Sequence, residues 1–407
     1  MRKLLPVALL AVAALLSACG SDSTAPGGFR GVTPTTATSL AVGSSFVCVV
    51  TATAVPFCWG NDAQGQLGDS STTNKSIPSP LAGGHSFVAI SAGSLTACGL
   101  NQNGAVWCWG EDPNQPGVTG AIVTTPSRVA VPVPLVSITV GRKFGCGLSS
   151  AGTAYCWGEN GRGQLGAGDT LKRTAPVVIP GNLQFRQISA GFWHACGILL
   201  SGDTYCWGDN QYAELATGET NTQLSATPRR ISGNVAFASL ASGSVHTCGL
   251  ATDGTAYCWG NNFSGQLGDG TSSFHLSPTA VVTNQKFTLL RATRANDIFS
   301  HTCGITGPGD VYCWGLNSHG ELGAVTSTDG CINASGTTQS ETCAYTPVKV
   351  PGISNVKMLD VGDANTCAIN TASQLFCWGN NFSGQLGNGS FTNSTTPVLV
   401  NGSLKLP

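Results

Sequence analysis

Cysteine carries the clearest chemical signal in this sequence of 407 residues. Fourteen of its 17 cysteines form seven pairs whose two members are ten residues apart. The pairs are Cys48–Cys58, Cys98–Cys108, Cys146–Cys156, Cys196–Cys206, Cys248–Cys258, Cys303–Cys313 and Cys367–Cys377. Free thiols could bind zinc, but zinc knuckles usually place their cysteines about two to four residues apart. The spacing therefore predicts seven disulfides, with reduced thiol pairs or zinc sites as the alternatives.

Two further cysteines, Cys331 and Cys343, lie outside this regular spacing. They fall in a Ser/Thr-rich stretch, residues 324–346, that interrupts the otherwise even succession of pairs. We expect an eighth disulfide between them, because it would constrain this segment. Every cysteine except Cys19 is then paired.

Histidine recurs at one position relative to the cysteine pairs. His194, His246 and His301 each stand two residues before the first cysteine of a pair. Equivalent positions of neighbouring repeats lie too far apart for metal bonds of ~2 Å, except where the repeats converge, so we expect structural histidines that bond to the backbone. No Ser–His–Asp pattern, phosphate loop or recurring carboxylate pair is visible in the sequence. We therefore expect no catalytic residue, metal or cofactor; a bound metal, or a buried carboxylate pair in the central channel, would favour an enzyme.

The ten-residue spacing also predicts the element that holds each pair. If Cys98 lies opposite Cys108 in an antiparallel hairpin, the loop has an odd number of residues, most simply 102–104. A three-residue loop ends on a left-handed residue, which is usually glycine. That position is glycine in five copies, while Ala54 and Ser373 occupy it in the other two. The cysteines then fall on a non-hydrogen-bonded pair with Cα atoms about 4.5 Å apart, within disulfide range.

The hairpins belong to a longer repeat. Cys-Trp-Gly occurs seven times, with its tryptophan at 59, 109, 157, 207, 259, 314 and 378, and an aromatic residue always precedes the cysteine. A period near fifty with short, glycine-punctuated β-like runs indicates propeller blades or the coils of a β-solenoid. Tryptophans repeated on one sheet face suit packing between blades.

The repeat resembles a known family. The phrase Gly-x-x-His-Thr-Cys-Gly-Leu…Tyr-Cys-Trp-Gly-x-Asn-x-x-Gly-Gln-Leu-Gly-x-Gly, clearest at 243–270, is similar to the regulator of chromosome condensation repeat. Seven copies imply an all-β, seven-bladed β-propeller over residues 38–407. Copy 2 departs from the pattern with EDPNQPGVTG, and copy 4 with AELATG. We expect the strand at 396–400 to complete the first blade, so that the two ends of the chain close the ring by pairing.

The N-terminal residues predict export. Arg2 and Lys3 precede an apolar run, and Leu16-Ser17-Ala18-Cys19 resembles the lipobox of bacterial lipoproteins. We expect a signal peptide at 1–18, lipidation of Cys19 and a flexible tether at 19–37, with the outer membrane or cell surface favoured as the location. An ordinary secretory signal with a chance cysteine is the alternative. The formal net charge is −1 without a basic block, which argues against nucleic acid as a partner.

These features favour a monomeric, non-catalytic scaffold that binds an unknown protein, or a surface glycan, through one face of the disc. The irregular segments converge on that face: 111–118, the 324–346 insertion, and Arg142, Lys143, Phe192, Trp193, Asp297 and Phe299. Local packing is the alternative explanation for Phe192 and Trp193. The family resemblance also implies two other roles, a guanine-nucleotide exchange factor and a secreted enzyme inhibitor.

Overall fold

The computed structural model describes residues 40–111, 122–219, 223–294, 300–324, 330–332, 338–402, 404 and 406. The predicted signal peptide, Cys19 and the tether lie outside these residues, as do Asp297 and Phe299. In the described ranges, no helix is long and apolar enough to cross a membrane.

Each repeat folds into one antiparallel sheet, and in every blade except blade 6 the strands follow chain order from an inner to an outer edge. Blade 1 contains β1 (Leu40–Val42), β2 (Phe46–Val50), β3 (Pro56–Gly60) and β4 (Lys75–Pro80). Blade 2 contains β5 (Ala89–Ala92), β6 (Thr96–Leu100), β7 (Val106–Glu111) and β8 (Ile122–Val129). Blade 3 contains β9 (Leu135–Val140), β10 (Phe144–Ser149), β11 (Ala154–Gly158) and β12 (Arg173–Val178). Blade 4 contains β13 (Phe185–Ala190), β14 (His194–Leu199), β15 (Thr204–Asp209) and β16 (Leu224–Arg230).

The last three blades follow the same plan. Blade 5 contains β17 (Phe237–Ser242), β18 (His246–Ala251), β19 (Ala256–Gly260) and β20 (His275–Ala280). Blade 6 contains β21 (Phe287–Ala292), β22 (His301–Thr306), β23 (Val311–Leu316), the additional β24 (Gly330–Ile332) and the outer β25 (Thr338–Lys349). Blade 7 contains β26 (Val356–Val361), β27 (Asn365–Asn370), β28 (Leu375–Gly379) and β29 (Ser394–Leu399). The seven-bladed, all-β propeller is therefore confirmed.

The predicted hairpin register is also confirmed. Cys98 lies opposite Cys108, with Cα atoms 4.1 Å apart and a disulfide between them. The amide of Asn101 donates to the carbonyl of Ala105 at 3.0 Å, which closes the loop 102–104. Gly104 ends this loop at φ +76°, in the left-handed region. The same ten-residue bridge occurs once in every blade, and Cys331–Cys343 forms the eighth disulfide.

The two hairpins without glycine adopt the same loop conformation at a cost. Ala54 has φ 64° and Ser373 has φ 59°. This left-handed backbone conformation costs roughly 1–2 kcal/mol in a residue with a Cβ atom. Ala54→Gly removes this strain but adds entropy to the unfolded chain, so we expect a net stabilisation of about 0.5–1 kcal/mol. Urea denaturation measures the change. Ala52→Gly, in the same loop and outside the left-handed region, is the control and should destabilise slightly; an equal loss in both variants would contradict the prediction.

The tryptophan of Cys-Trp-Gly joins each blade to the one before it. All seven of these side chains are buried, and six donate their Nε1 hydrogen to a main-chain carbonyl in the preceding blade at 2.8–3.0 Å. The pairs are Trp59–Gln385, Trp109–Gln66, Trp207–Gln164, Trp259–Glu214, Trp314–Gln266 and Trp378–Glu321. Among the described residues Trp157 has no such acceptor; residues 112–121 of blade 2, which replace the Gly-Gln-Leu-Gly segment, lie outside them.

The prediction that the strand at 396–400 completes the first blade is wrong. This strand is β29, and it pairs with β28 of its own blade, with Val398 opposite Cys377. Blade 1 has its own outer strand, β4, in which Ser79 lies opposite Cys58. The outer strand follows Cys-Trp-Gly within each repeat, and β4 reads Lys-Ser-Ile-Pro-Ser-Pro, without the Pro-Val pair of β12, β25 and β29 that suggested a repeat starting with this strand.

The ring closes by lateral packing of blade 7 against blade 1 instead of by strand pairing. The amide of Val42 donates to the Asp360 carboxylate at 2.8 Å near the inner edge. Trp59 donates to the Gln385 carbonyl at 3.0 Å in the middle of the interface. The amide of Gly389 donates to the Ser76 carbonyl at 2.8 Å near the outer edge. Closure therefore uses the same kinds of contact that join the other blades.

Candidate binding face

One side of the disc carries two sets of loops from the blades. The first turn of a blade joins its inner strand to its second strand, and the exit loop follows Cys-Trp-Gly. Main-chain bonds hold the two together: Asn61 donates to Ser45, Glu159 to Lys143, and Asp209 to Trp193, at 2.8–2.9 Å. We call this side the loop face. Because both ends of each bond belong to one blade, every blade contributes a rigid loop pair to it.

Arg142, Phe192 and Trp193 form a cluster where blades 3 and 4 meet on the loop face. The Arg142 guanidinium lies 4.9 Å from the ring centre of Phe192 and 4.6 Å from that of Trp193, in cation–π geometry. Phe192 is only 4% exposed and packs edge-on against Trp193, so local packing explains its position. Arg142 and Trp193 remain partly exposed. They are the members of the cluster that a partner could contact.

Lys143 has a different role from its neighbour Arg142. Its amino group pairs with the Glu111 carboxylate of blade 2 at 2.5 Å, and both side chains are less than a third exposed. This ion pair joins the first turn of blade 3 to the exit loop of blade 2. Lys143 therefore stabilises the loops of this face and is less available to a partner than Arg142.

Two aromatic pairs on the exit loops were missed by the sequence reasoning. Tyr212 and Phe263 approach edge-on between blades 4 and 5, with ring centres 6.3 Å apart. His319 and Phe382 do the same between blades 6 and 7, at 6.1 Å. Phe382 is 70% exposed. The signal was available, because the repeated phrase Cys-Trp-Gly-Asn-Asn-Phe places both phenylalanines four residues after the tryptophan.

In five blades the exit loop is held by the asparagine three residues after the tryptophan. In blade 5, Asn262 accepts the amide hydrogen of Leu267 at 3.0 Å and donates to Asp269 and to the carbonyl of Thr271. Blade 1 has Asp62 at this position, which accepts from Leu67 at 2.9 Å. Burial raises the pKa of Asp62 to about 6. These side chains cap the loop from inside and are not available to a ligand.

The three recurring histidines are structural. All three are buried, and the Nε2 atom of each lies 2.8–2.9 Å from a threonine hydroxyl of the next blade: His194–Thr247, His246–Thr302 and His301–Thr366. The Thr302 hydroxyl donates onward to the Gln266 carbonyl at 2.8 Å, so the histidine must be the donor in this pair. Burial lowers the pKa of each imidazole to about 3. The expectation of a backbone partner was wrong in this detail, because a hydroxyl relays the bond to the backbone.

The described residues contain no group of three or more His, Cys, Asp or Glu side chains that could hold a metal. They do contain a neighbouring pair of buried acids, Asp209 and Glu214, in the exit loop of blade 4. Burial raises the pKa of Glu214 to about 8, and the nearby Asp209 charge adds to the shift. Glu214 replaces the glutamine of the repeat and keeps its bond to a main-chain amide, that of Tyr212, at 2.8 Å. The two acids therefore lie inside the exit loop, where Glu214 holds the backbone, and neither lines the cavity of the central channel.

The comparisons with known proteins agree with this architecture. The model of the RCC1-like domain matches residues 16–335 and 122–406. The ultraviolet-B receptor UVR8 of Arabidopsis thaliana is 26% identical over 356 residues, which is 84% of this chain and 76% of UVR8. Human E3 ubiquitin-protein ligase HERC2 is 30% identical over 166 residues, which is 38% of this chain and 3% of HERC2. The crystal structure of Prp20p from Saccharomyces cerevisiae matches with a TM-score of 0.74 at 19% identity, over 87% of each chain. The chain therefore belongs to the RCC1-like domain family.

Proposed function

We propose that this protein is a non-catalytic scaffold that binds another protein through its loop face. The observation that carries the proposal is the cluster of Arg142 and Trp193, partly exposed on loops that main-chain bonds fix in place. Tryptophan and arginine dominate binding hot spots, and a rigid surface loses little entropy when it binds. Prp20p, which has the same fold, has binding properties to Gsp1p and histones, and this is consistent with protein binding by such a propeller.

The binding test compares variants on opposite sides of the disc. Trp193→Ala with Arg142→Ala should weaken binding to an envelope protein at least tenfold, since a hot-spot residue contributes roughly 2 kcal/mol or more. Arg230→Ala is the matched control, because Arg230 pairs with Asp203 of the hairpin turn, on the side away from the loop face. Affinity is measured with the purified, oxidised protein after a partner is identified by cross-linking. Equal affinity of the double variant and the wild type would reject this face.

A surface glycan is the second candidate partner. The exposed ring of Phe382 favours it, since sugars pack on aromatic faces that a soluble protein would otherwise bury. Binding to purified glycans that is lost in Phe382→Ala and kept in Trp193→Ala would select this alternative. An exchange-factor role needs a GTPase in the same compartment, and an enzyme-inhibitor role needs an extracellular enzyme.

We further propose that the protein is exported and anchored to a bacterial membrane through a lipid on Cys19. Eight disulfides favour an oxidising compartment, and the sequence before Cys19 resembles a lipobox. The outer membrane or cell surface is the favoured location.

Replacement of the acylated cysteine tests the anchor. Cys19→Ser should abolish incorporation of labelled palmitate and move the protein from the membrane fraction to the soluble extracytoplasmic fraction, because Cys19 is the residue expected to carry the acyl chains. Ser17→Ala, which keeps a small residue before the cysteine, is the control and should stay membrane-bound. Export of the wild type without palmitate would identify an ordinary secretory signal instead.

A further inference from the structure

A cavity of about 140 Å³ lies in the central channel, between the inner strands. Its walls include Ser91 of β5, Thr139 of β9 and Ser189 of β13. Pockets for organic ligands usually measure roughly 300–1,000 Å³. The cavity is therefore suited to one small ion with a few waters, and it is too small for a typical cofactor.

The charged residues of the cavity wall are unbalanced. Three arginines, Arg186, Arg291 and Arg294, line it together with one carboxylate, Asp360. Arg291 lies 3.3 Å from Asp360, which also accepts the amide hydrogen of Val42 at 2.8 Å. Asp360 can neutralise one guanidinium, which leaves two positive charges among the lining residues.

Arg294 reaches across the channel. It belongs to blade 6, and its Nη1 donates to the carbonyl of Ala92 in blade 2 at 3.1 Å. Its Nε is buried and has no hydrogen-bond partner among the described residues. Arg186 donates to the carbonyls of Phe237 and Ala238 in blade 5, so its guanidinium also meets neutral acceptors. Within the part of the chain that the structure describes, neither guanidinium lies within ion-pair distance of a carboxylate.

Half-buried guanidinium groups such as those of Arg186 and Arg294 are costly without an anion, because carbonyl dipoles replace only part of the hydration that they lose. The same burial lowers the pKa of Arg186 and Arg291. Arginine's planar fork suits phosphate, sulfate and carboxylate oxygens, and such charge-assisted bonds are strong in a site of low dielectric constant. A small oxyanion in this cavity would supply the missing negative charge and accept the unused Nε hydrogen.

We propose that the central channel binds a single small oxyanion, with Arg294 as its main ligand and Arg291, whose guanidinium also contacts Asp360, as the second. The site is separate from the loop-face cluster of Arg142 and Trp193, so it does not depend on the proposed partner. Its occupant would join blade 6 to the opposite side of the ring, since Arg294 already contacts blade 2.

The test is calorimetric titration of the purified, oxidised protein with inorganic phosphate, at constant ionic strength set with chloride. We expect saturable binding of one phosphate per chain and a rise in melting temperature with phosphate concentration. Arg294→Gln should weaken binding at least about tenfold, which is the effect of one lost charge-assisted bond. Arg230→Gln, at an exposed ion pair, and Trp193→Ala should leave phosphate binding unchanged. Absence of saturable binding to the wild type, or equal affinity in Arg294→Gln, would overturn the proposal.

A second measurement covers the case in which Arg294→Gln does not fold. Selenate has the shape and charge of sulfate, and its selenium is located by anomalous scattering. Crystals of the wild type grown with selenate should show a selenium site between Arg291 and Arg294. A selenium site found elsewhere, with none in the channel, would reject the placement.

Discussion

Reduction of the blade disulfides is expected to unfold the propeller in dilute urea. Each bridge closes a loop of ten residues, as Cys98–Cys108 does. In the chain-entropy model such a loop stabilises the fold by about 2–3 kcal/mol, so seven contribute on the order of 15–20 kcal/mol. Typical proteins are stable by only about 5–15 kcal/mol. Because the cysteines are buried, the reductant needs transient opening, which the urea provides.

Variants distinguish a blade bridge from the bridge of the insertion. Cys98→Ala with Cys108→Ala should lower the free energy of unfolding by about 2–3 kcal/mol, since it frees a hairpin in the core of blade 2. Cys331→Ala with Cys343→Ala should change the urea midpoint of the ring much less, because that bridge joins β24 to β25 at the outer edge of blade 6. Circular dichroism follows both transitions. A reduced wild type that keeps its oxidised midpoint would contradict the disulfide contribution.

The hairpins could be predicted from the sequence because their determinants are local. The spacing of Cys98 and Cys108, with Gly104 between them, defines the loop and the register. The boundary between one blade and the next was harder to predict from the sequence. The outer strand β4 shares little sequence with β29, so the repeat was divided one strand too early. A strand at the outer edge, with much of its surface toward solvent, tolerates this variation because few of its side chains enter the core.

Contacts between blades depend on residues about fifty positions apart, and only the structure shows which positions meet. His194 and Thr247 are 53 residues apart in sequence. An alignment of the repeats partly reveals the pairing. Where one repeat has histidine, the next repeat has threonine at the position that faces it. Where one repeat has Phe144, the next has Ala195, and both lie in the same core cluster. The binding face stays a prediction: of the residues assigned to it, Phe192 is buried, and Asp297 and Phe299 lie outside the described residues.

Glu214→Gln is expected to stabilise the protein, with a gain that depends on pH. In blade 5 the equivalent Gln266 accepts the amide hydrogen of Ser264 at 2.9 Å and donates to Asn261 at 2.8 Å. Glutamine at position 214 can accept from Tyr212 in the same way and donate toward Asp209, which the carboxylate cannot do. The substitution removes a buried charge and adds a donor where the neighbouring residue is an acceptor.

The sign of the pH dependence follows from the pKa of Glu214. Burial raises it from 4.5 to about 8 in the folded protein, so folding favours the protonated carboxyl group. That stability is present below pH 4.5 and is lost as the pH rises toward 8, at about 1.4 kcal/mol per pH unit. The gain from Glu214→Gln should therefore be on the order of 4 kcal/mol at pH 8 and nearly absent at pH 4.5. Urea denaturation at several pH values measures it.

The free energy of unfolding must be compared between Glu214→Gln and the wild type at each pH. Other titratable groups change the stability of the wild type with pH in the opposite direction to Glu214. The pKa of His194, His246 and His301 is lowered from 6.5 to about 3, so each costs stability as the pH falls below 6.5. Glu214→Gln leaves these histidines unchanged, and the difference from wild type therefore isolates one carboxyl group. Glu219→Gln, at an exposed residue paired with Arg229, is the control and should give a small change at every pH. A gain in Glu214→Gln that is equal at pH 4.5 and pH 8 would show that Glu214 is ionised in the folded protein.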